Sequence, residues 1–247
     1  MNPAKWGLRE NGTKILSQLT HRNNRRKIGL YGGTFDPVHN GHVNVAEQIL
    51  RQYDLDEIIF IPAARPPHKQ QTTASFPHRV AMLERALEGK AGFSISLIEA
   101  ERTAPSYTID TLLELGARMA PYEPHLIIGA DSFCELHLWY RYDELLSHAD
   151  FIVAARPSFS FSRLIKAVTR LPGSYEYHEK KRVWEEQHGR KIYYFSGSEV
   201  SASSTEIRER LFTGRSVSGL LPPLVFEYIK QSGLYSASFD PDQAFQQ

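Results

Sequence analysis

Cysteine is almost missing from this 247-residue chain. Cys134 stands alone, so neither an internal disulfide nor a four-cysteine zinc site can form within one chain. Long hydrophobic runs are also missing, and stretches such as Phe151 to Ala155 are far too short to cross a bilayer. The first residues hold no apolar stretch of the kind that opens a secretory signal. Together these absences point to a soluble protein of a reducing, cytoplasmic compartment with no membrane partner. What is present is ordinary globular material: 41% hydrophobic and 23% charged residues, too apolar for wholesale disorder and long enough for a sizeable core.

A formal net charge of +1 conceals an asymmetry. Residues 1–27 hold seven Lys/Arg against Glu10 alone, whereas the remaining 220 residues hold 22 basic and 27 acidic side chains, a net of −5. A domain of that sign is not built to grip a phosphate backbone in bulk, so no nucleic-acid partner is expected for it. A small anionic substrate must instead be held by a few local cations. The basic head reads as a mobile, solvated extension, with a nucleic-acid contact left open for it. The chain then divides into an extension (1–27), one domain (28–235) and a tail (236–247).

Short apolar runs alternate with helical patterns. Strands are predicted at Ile28–Tyr31, Glu57–Ile61, Phe93–Ile98, His125–Ile128, Phe151–Ala155 and Lys191–Phe195. Helical stripes run through Val45, Ala46, Ile49 and Leu50, through Val80, Leu83 and Leu87, and through Ile109, Leu112 and Leu113. Residues 157–190 are weakly patterned apart from Leu164, Ile165 and Val168, and a last helix enters through Pro222-Pro223. Strands spaced by helices require crossovers, so the fold class is α/β: a doubly wound, mostly parallel sheet with helices on both faces. Such sheets bind ligands beyond the carboxyl ends of their strands, which directs attention to the segments that follow each strand.

After the first strand stands Gly32-Gly33-Thr34-Phe35-Asp36-Pro37-Val38-His39-Asn40-Gly41-His42. Two glycines let backbone approach a ligand closely, and histidines three apart share one face of a helix beginning there. Both can donate to phosphate oxygens. The pattern matches neither the Walker loop nor the dinucleotide G-x-G-x-x-G. The histidine pair by itself leaves a surface turn or a metal pair open. Near the other end, Ser203 and Glu206 in Ser201-Ala202-Ser203-Ser204-Thr205-Glu206-Ile207-Arg208 have capping-box spacing, so a helix should begin at Ser204 or Thr205. Capping needs one hydroxyl. Three, with an arginine one turn in, also suit a polyphosphate.

With these two strings the chain resembles the nucleotidyltransferase superfamily that carries Gly-x-Phe-Asp-Pro-x-His-x-Gly-His and Ser-Ser-Thr-x-Ile-Arg elements. Within it, the chain is similar to the bacterial nicotinate-nucleotide adenylyltransferases. Pro66-Pro67-His68-Lys69, Ser106-Tyr107-Thr108-Ile109-Asp110-Thr111-Leu112, Ile128-Gly129-Ala130-Asp131-Ser132, Trp139-Tyr140, Arg156-Pro157 and the segment from Leu221 to Ile229 support the narrower match. The resemblance spans about residues 28–235.

The resemblance implies a Rossmann-like fold and transfer of the adenylyl group of ATP to nicotinate mononucleotide, a step of NAD biosynthesis. It implies His39, His42 and Arg208 as catalytic residues. Gly32, Thr34, Gly129, Asp131, Ser203, Ser204, Thr205 and Arg208 would bind ATP, and Lys69, Thr108, Trp139, Tyr140 and Arg156 the mononucleotide. Mg²⁺ is expected to arrive on the ATP phosphates and through water, with no direct protein ligand. Nicotinamide mononucleotide or phosphopantetheine as acceptor, a nucleotide-binding module without turnover, and a homo-oligomeric assembly all stay open on sequence alone. A panel of acceptors discriminates among the first three. Cys134 reads as a packed residue, with no setting that would make it a nucleophile.

Overall fold

The computed structural model describes residues 25–66, 72–103, 105–119, 121–197 and 203–236. The chain begins with β1 (Arg26–Gly33), α1 (Asn40–Gln52), β2 (Glu57–Pro62), α2 (Phe76–Leu87), β3 (Phe93–Ile95) and a 3-10 turn at Ile98–Glu101. There follow α3 (Thr108–Arg118), β4 (Tyr122–Gly129), α4 (Ala130–Cys134), α5 (Tyr142–His148), β5 (Asp150–Ala154) and α6 (Phe161–Val168). The last elements are β6 (Tyr175–His178), β7 (Val183–Glu186), β8 (Lys191–Phe195), α7 (Ser204–Phe212) and α8 (Pro223–Gln231). The strands form one sheet in the order β3-β2-β1-β4-β5-β8-β7-β6. It is parallel from β3 to β8, and β7 and β6 close it in antiparallel fashion. The doubly wound, mostly parallel sheet is therefore present, and its strand order reverses between β1 and β4.

Alternation within the strands builds two apolar layers. Ile59 and Ile61 of β2, Leu126 and Ile128 of β4, and Phe151 and Val153 of β5 face one side, where α3, α4, α5 and α6 supply Ile109, Phe133, Leu145 and Leu164. Ile58, Phe60, Ile127 and Ile152 face the other, against Ile49 of α1, Leu83 of α2, Ile207 of α7 and Val225 of α8. Side chains that alternate direction along a strand give a sheet covered on both faces two such cores.

Several boundaries differ from the periodicity reading. β1 starts at Arg26 rather than at the apolar Ile28, because Arg26 pairs with Glu57 at 2.8 Å and Lys27 lies opposite Glu123 of β4. β3 stops at Ile95. Its next rungs would run on to Pro62, which has no N–H to donate. β6 and β7 were not predicted. They form an edge hairpin whose strands bury little beyond Val183 and Trp184, so their hydrophobic pattern is faint.

Candidate active site

The loop leaving β1 is held by its own small and buried residues. A Cβ on Gly33 would lie 2.9 Å from the Phe35 ring, so only glycine lets that ring fold back. Phe35 is buried in the left-handed backbone region (φ 51°) and packs edge-on to Tyr31 at 5.8 Å. Asp36 is buried as well, and its carboxylate accepts from the N–H groups of Thr73 and Ala74 and from the Tyr235 hydroxyl. Arg79 of α2, fully buried, donates to the carbonyls of Thr34 and Ala63, which closes the carboxyl ends of β1 and β2. Asp36 and Arg79 were not singled out from the sequence. The buried face of α2 was the available signal, since Arg79 sits on it among Met82, Leu83 and Ala86.

His39 takes the N-cap position of α1, and His42 stands in its first turn. Their rings stack at 3.7 Å between centroids. The His39 backbone N–H donates to Nδ1 of His42 at 3.3 Å, so the neutral His42 carries its proton on Nε2, ready to donate. Burial, with the Arg156 charge nearby, lowers the His39 pKa to about 4. His42 is held well below its ordinary value by burial, by His39 and by Arg156. Both are neutral at pH 7. Arg156, just beyond β5, is exposed and has no hydrogen-bonding or ionic partner for its guanidinium among the described residues. Two neutral donors beside an unpaired cation form a setting that an incoming anion would stabilise.

The second motif packs directly on this loop. α7 begins at Ser204 with Ser203 as N-cap, whose hydroxyl accepts from the Glu206 N–H at 3.1 Å. The reciprocal half of the capping box is absent, because the Glu206 carboxylate pairs with Arg210 at 2.7 Å. Ser204 donates to the carbonyl of Pro37, 167 residues away in sequence, and Arg208 donates to the carbonyl of Asp36 at 2.7 Å and to the Thr205 hydroxyl at 3.4 Å. The N-termini of α1 and α7 thus come together on one side of the sheet with Arg208 between helix and loop. Arg208 keeps further N–H groups for a ligand.

On the opposite side of the sheet's carboxyl edge lies a cavity of about 380 Å³. It is lined by Gly32 and Gly33 at the end of β1 and Thr34 just after it, by Gly129 at the end of β4, and by Ser106, Tyr107, Thr108, Trp139, Tyr140 and Glu99. Its position at β1 and β4 is the switch point, where doubly wound sheets bind. Tyr107 caps α3, so the N–H groups of its first turn lack helical acceptors and carry positive dipole character. Trp139 is half-buried, and Tyr140 stacks on Tyr107 at 4.5 Å. Asp110 is turned toward Arg141, 3.6 Å away.

The site residues expected from the sequence thus fall into two groups that meet at Gly32–Thr34. Gly32, Thr34, Gly129, Thr108, Trp139 and Tyr140 share the cavity, although the first three were assigned to ATP and the others to the mononucleotide. His39, His42, Arg156, Ser203, Ser204, Thr205 and Arg208 lie outside its lining. Asp131 also lies outside it, solvent-exposed and 3.4 Å from Arg163. Lys69 falls outside the described residues. Glu99, a buried carboxyl in the cavity wall, was not singled out from the sequence. The Cys134 thiol is half-buried and its pKa is raised by burial, which leaves it without nucleophilic character.

Comparison with known proteins adds three findings. Residues 30–210 match the family model described as cytidylyltransferase-like. A probable nicotinate-nucleotide adenylyltransferase of Trichlorobacter lovleyi is 39% identical over 85% of this chain and 99% of its own length, and one of Pseudomonas syringae is 37% identical over 86% and 95%. Among solved structures, the nicotinic acid mononucleotide adenylyltransferase of Plasmodium falciparum in complex with NaAD superposes with a TM-score of 0.66 at 22% identity, over 85% of this chain and 98% of that one. That likeness establishes the fold.

Proposed function

The chain belongs to the cytidylyltransferase-like family and, within it, to the nicotinate-nucleotide adenylyltransferases; from that premise we propose that it transfers the adenylyl group of ATP to nicotinate mononucleotide, releasing pyrophosphate. The observation that carries this reading is the two-sided site. An apolar, aromatic-walled cavity suits a pyridine nucleotide on one side of the sheet edge, and paired helix N-termini with histidines and arginines suit a triphosphate on the other. The backbone of Gly32–Thr34 lies between them, where the two phosphates must meet.

The reaction is an in-line attack of the mononucleotide phosphate on the α-phosphorus of ATP, with pyrophosphate leaving. The nucleophile is already an anion, so no general base is required. The protein's task is to bring two polyanions together and to stabilise charge where it develops. In this reading Nε2–H of His42 and the His39 ring donate to the α-phosphate region, and Arg156 supplies charge beside them. Ser203, Ser204, Thr205 and Arg208 hold the departing β- and γ-phosphates. Asp131 lies beside the adenosine, and Gly129, which lines the cavity, falls on the mononucleotide side. The donors around the histidine pair are nitrogens, and among the described residues no three carboxylates, imidazoles or thiols converge on a metal site. Mg²⁺ arriving with ATP would ride on phosphate oxygens and water, where it neutralises charge.

Acceptor choice belongs to α3. The acid and amide mononucleotides differ by a carboxylate against a carboxamide on the same ring, and donors at a helix N-terminus favour the anion. Thr108 adds a hydroxyl, and Asp110, which would oppose the acid, faces Arg141 instead. Trp139 offers a ring for stacking on the pyridinium, which serves acid and amide alike. The location proposed for this ATP-dependent step is the cytoplasm. Separately, among the described residues no helix is long and apolar enough to cross a membrane. The reading is tested by pyrophosphate release with ATP and nicotinate mononucleotide, with His42→Ala as control. A wild type that releases none in the presence of both substrates contradicts it.

A further inference from the structure

Three polar side chains are buried behind the first turn of α3: Glu99 (7% exposed), Ser106 (8%) and Thr111 (3%). They have no part in the phosphate chemistry, yet Glu99 and Ser106 line the cavity next to Tyr107 and Thr108. The Thr111 hydroxyl donates to Oε1 of Glu99 at 2.9 Å and accepts from the Arg102 guanidinium. One hydroxyl thus ties the 3-10 turn at Ile98–Glu101 to the first turn of α3. On the other flank the N–H of Ser106 donates to the Arg65 carbonyl at 3.0 Å, and the Arg65 N–H donates back to the Ser106 hydroxyl at 3.1 Å. Arg65 also donates to the carbonyl of Arg102. The helix N-terminus that forms the cavity wall is clamped from both sides.

Charge makes the clamp informative. A lone buried carboxylate behind a site for an anion would oppose the ligand. Here an arginine and a glutamate flank the same hydroxyl, so their fields largely cancel at the cavity while their hydrogen bonds fix the helix. Arg102 also lies 3.5 Å from Glu114, which is in turn paired with Arg118. Burial raises the Glu99 pKa, and the Ser106 and Thr111 hydroxyls with Arg102 pull it back. Among the described residues the second carboxyl oxygen of Glu99 is buried with no well-formed hydrogen bond, the Ser106 hydroxyl and the Ala64 backbone lying close enough only to lower its pKa, a costly arrangement for a residue whose only task is packing.

We propose that Glu99, through Thr111 and Arg102, is a specificity-determining positioning residue that holds the α3 N–H groups in the orientation that selects the acid ring over the amide. The inference rests on the adenylyl-transfer reading and names what enforces its acceptor choice. Misplaced helix donors cost the acid its charge-dependent contacts, whereas the amide, which draws less from them, loses little.

The test is kcat/KM of wild type, Glu99→Ala, Glu99→Gln and Thr111→Val with ATP and each mononucleotide. Glu99→Ala should lower kcat/KM for the acid about tenfold, a change of about 1.4 kcal/mol, and leave that for the amide and the KM for ATP within about threefold. Glu99→Gln keeps an acceptor for Thr111 and should restore most of the preference. Thr111→Val has the same shape without the hydroxyl and should reproduce the loss should Glu99→Ala fail to fold. Equal losses on acid and amide, or an unchanged ratio in both Glu99→Ala and Thr111→Val, overturn the proposal. A wild type that does not use nicotinate mononucleotide at all would instead contradict the underlying reading.

Discussion

A neutral histidine donates one hydrogen bond without bringing a charge that must be desolvated, and His39 and His42 are both held in that form. Removing one preorganised donor of this kind typically costs about 10²–10³ in turnover. His42→Ala and His39→Ala are expected to lose kcat on that order while giving a normal circular dichroism spectrum; full activity in either removes that histidine from the mechanism. The lowered pKa also has a consequence for folding. His39 titrates near 4 in the folded chain against an ordinary 6.5, so between those values the unfolded chain binds more protons. The stabilisation is complete above about pH 6.5 and is lost as pH falls toward 4, amounting to about 3 kcal/mol for His39 alone. Urea midpoints measured from pH 7.5 down to 4.5 should fall, and less steeply in His39→Asn. An identical slope in the variant would contradict the burial of this imidazole. Arg208 donates to the Asp36 carbonyl as well as facing the site, so Arg208→Ala should weaken pyrophosphate binding and also cost about 1–2 kcal/mol, measurable in the same urea titrations.

At the scale of elements, the legible parts were those whose apolar residues are buried on both faces or at regular spacing. β2, β5 and β8 begin and end within one residue of their hydrophobic runs, because central parallel strands are apolar throughout. The Ser203 cap was legible as well, since its hydroxyl and the residue three positions on carry the signature. Polar strands were not. The β6–β7 hairpin and the leading ends of β1 and β4 hold their places through pairing and charge, which leave no hydrophobic period. Buried polar residues escaped for the same reason: Arg79 and Glu99, and the structural role of Asp36 within its motif, show only once the partners that neutralise them are placed beside them. Ser203→Ala tests the double role of the α7 N-terminus. It should cost about 1 kcal/mol of stability and also raise the KM for ATP, because in the proposed reaction the N–H groups it orders hold the triphosphate. A stability loss with unaltered kinetics would leave Ser203 as a cap alone.

For the whole molecule, the reversal of strand order between β1 and β4 creates the crevice, and the two motif strings close it from opposite ends of the chain. The match to the family model begins at residue 30, and we propose that residues 1–24 take no part in turnover; a chain lacking them should keep its kcat/KM. The central claim is adenylyl transfer to the acid mononucleotide. Its most direct measurement is pyrophosphate release by the full chain with ATP and, separately, nicotinate mononucleotide, nicotinamide mononucleotide and phosphopantetheine. The account predicts kcat/KM for nicotinate mononucleotide at least about tenfold above the amide, a difference of about 1.4 kcal/mol, and no turnover with phosphopantetheine. Equal use of the two mononucleotides, or a preference for the amide, would contradict it.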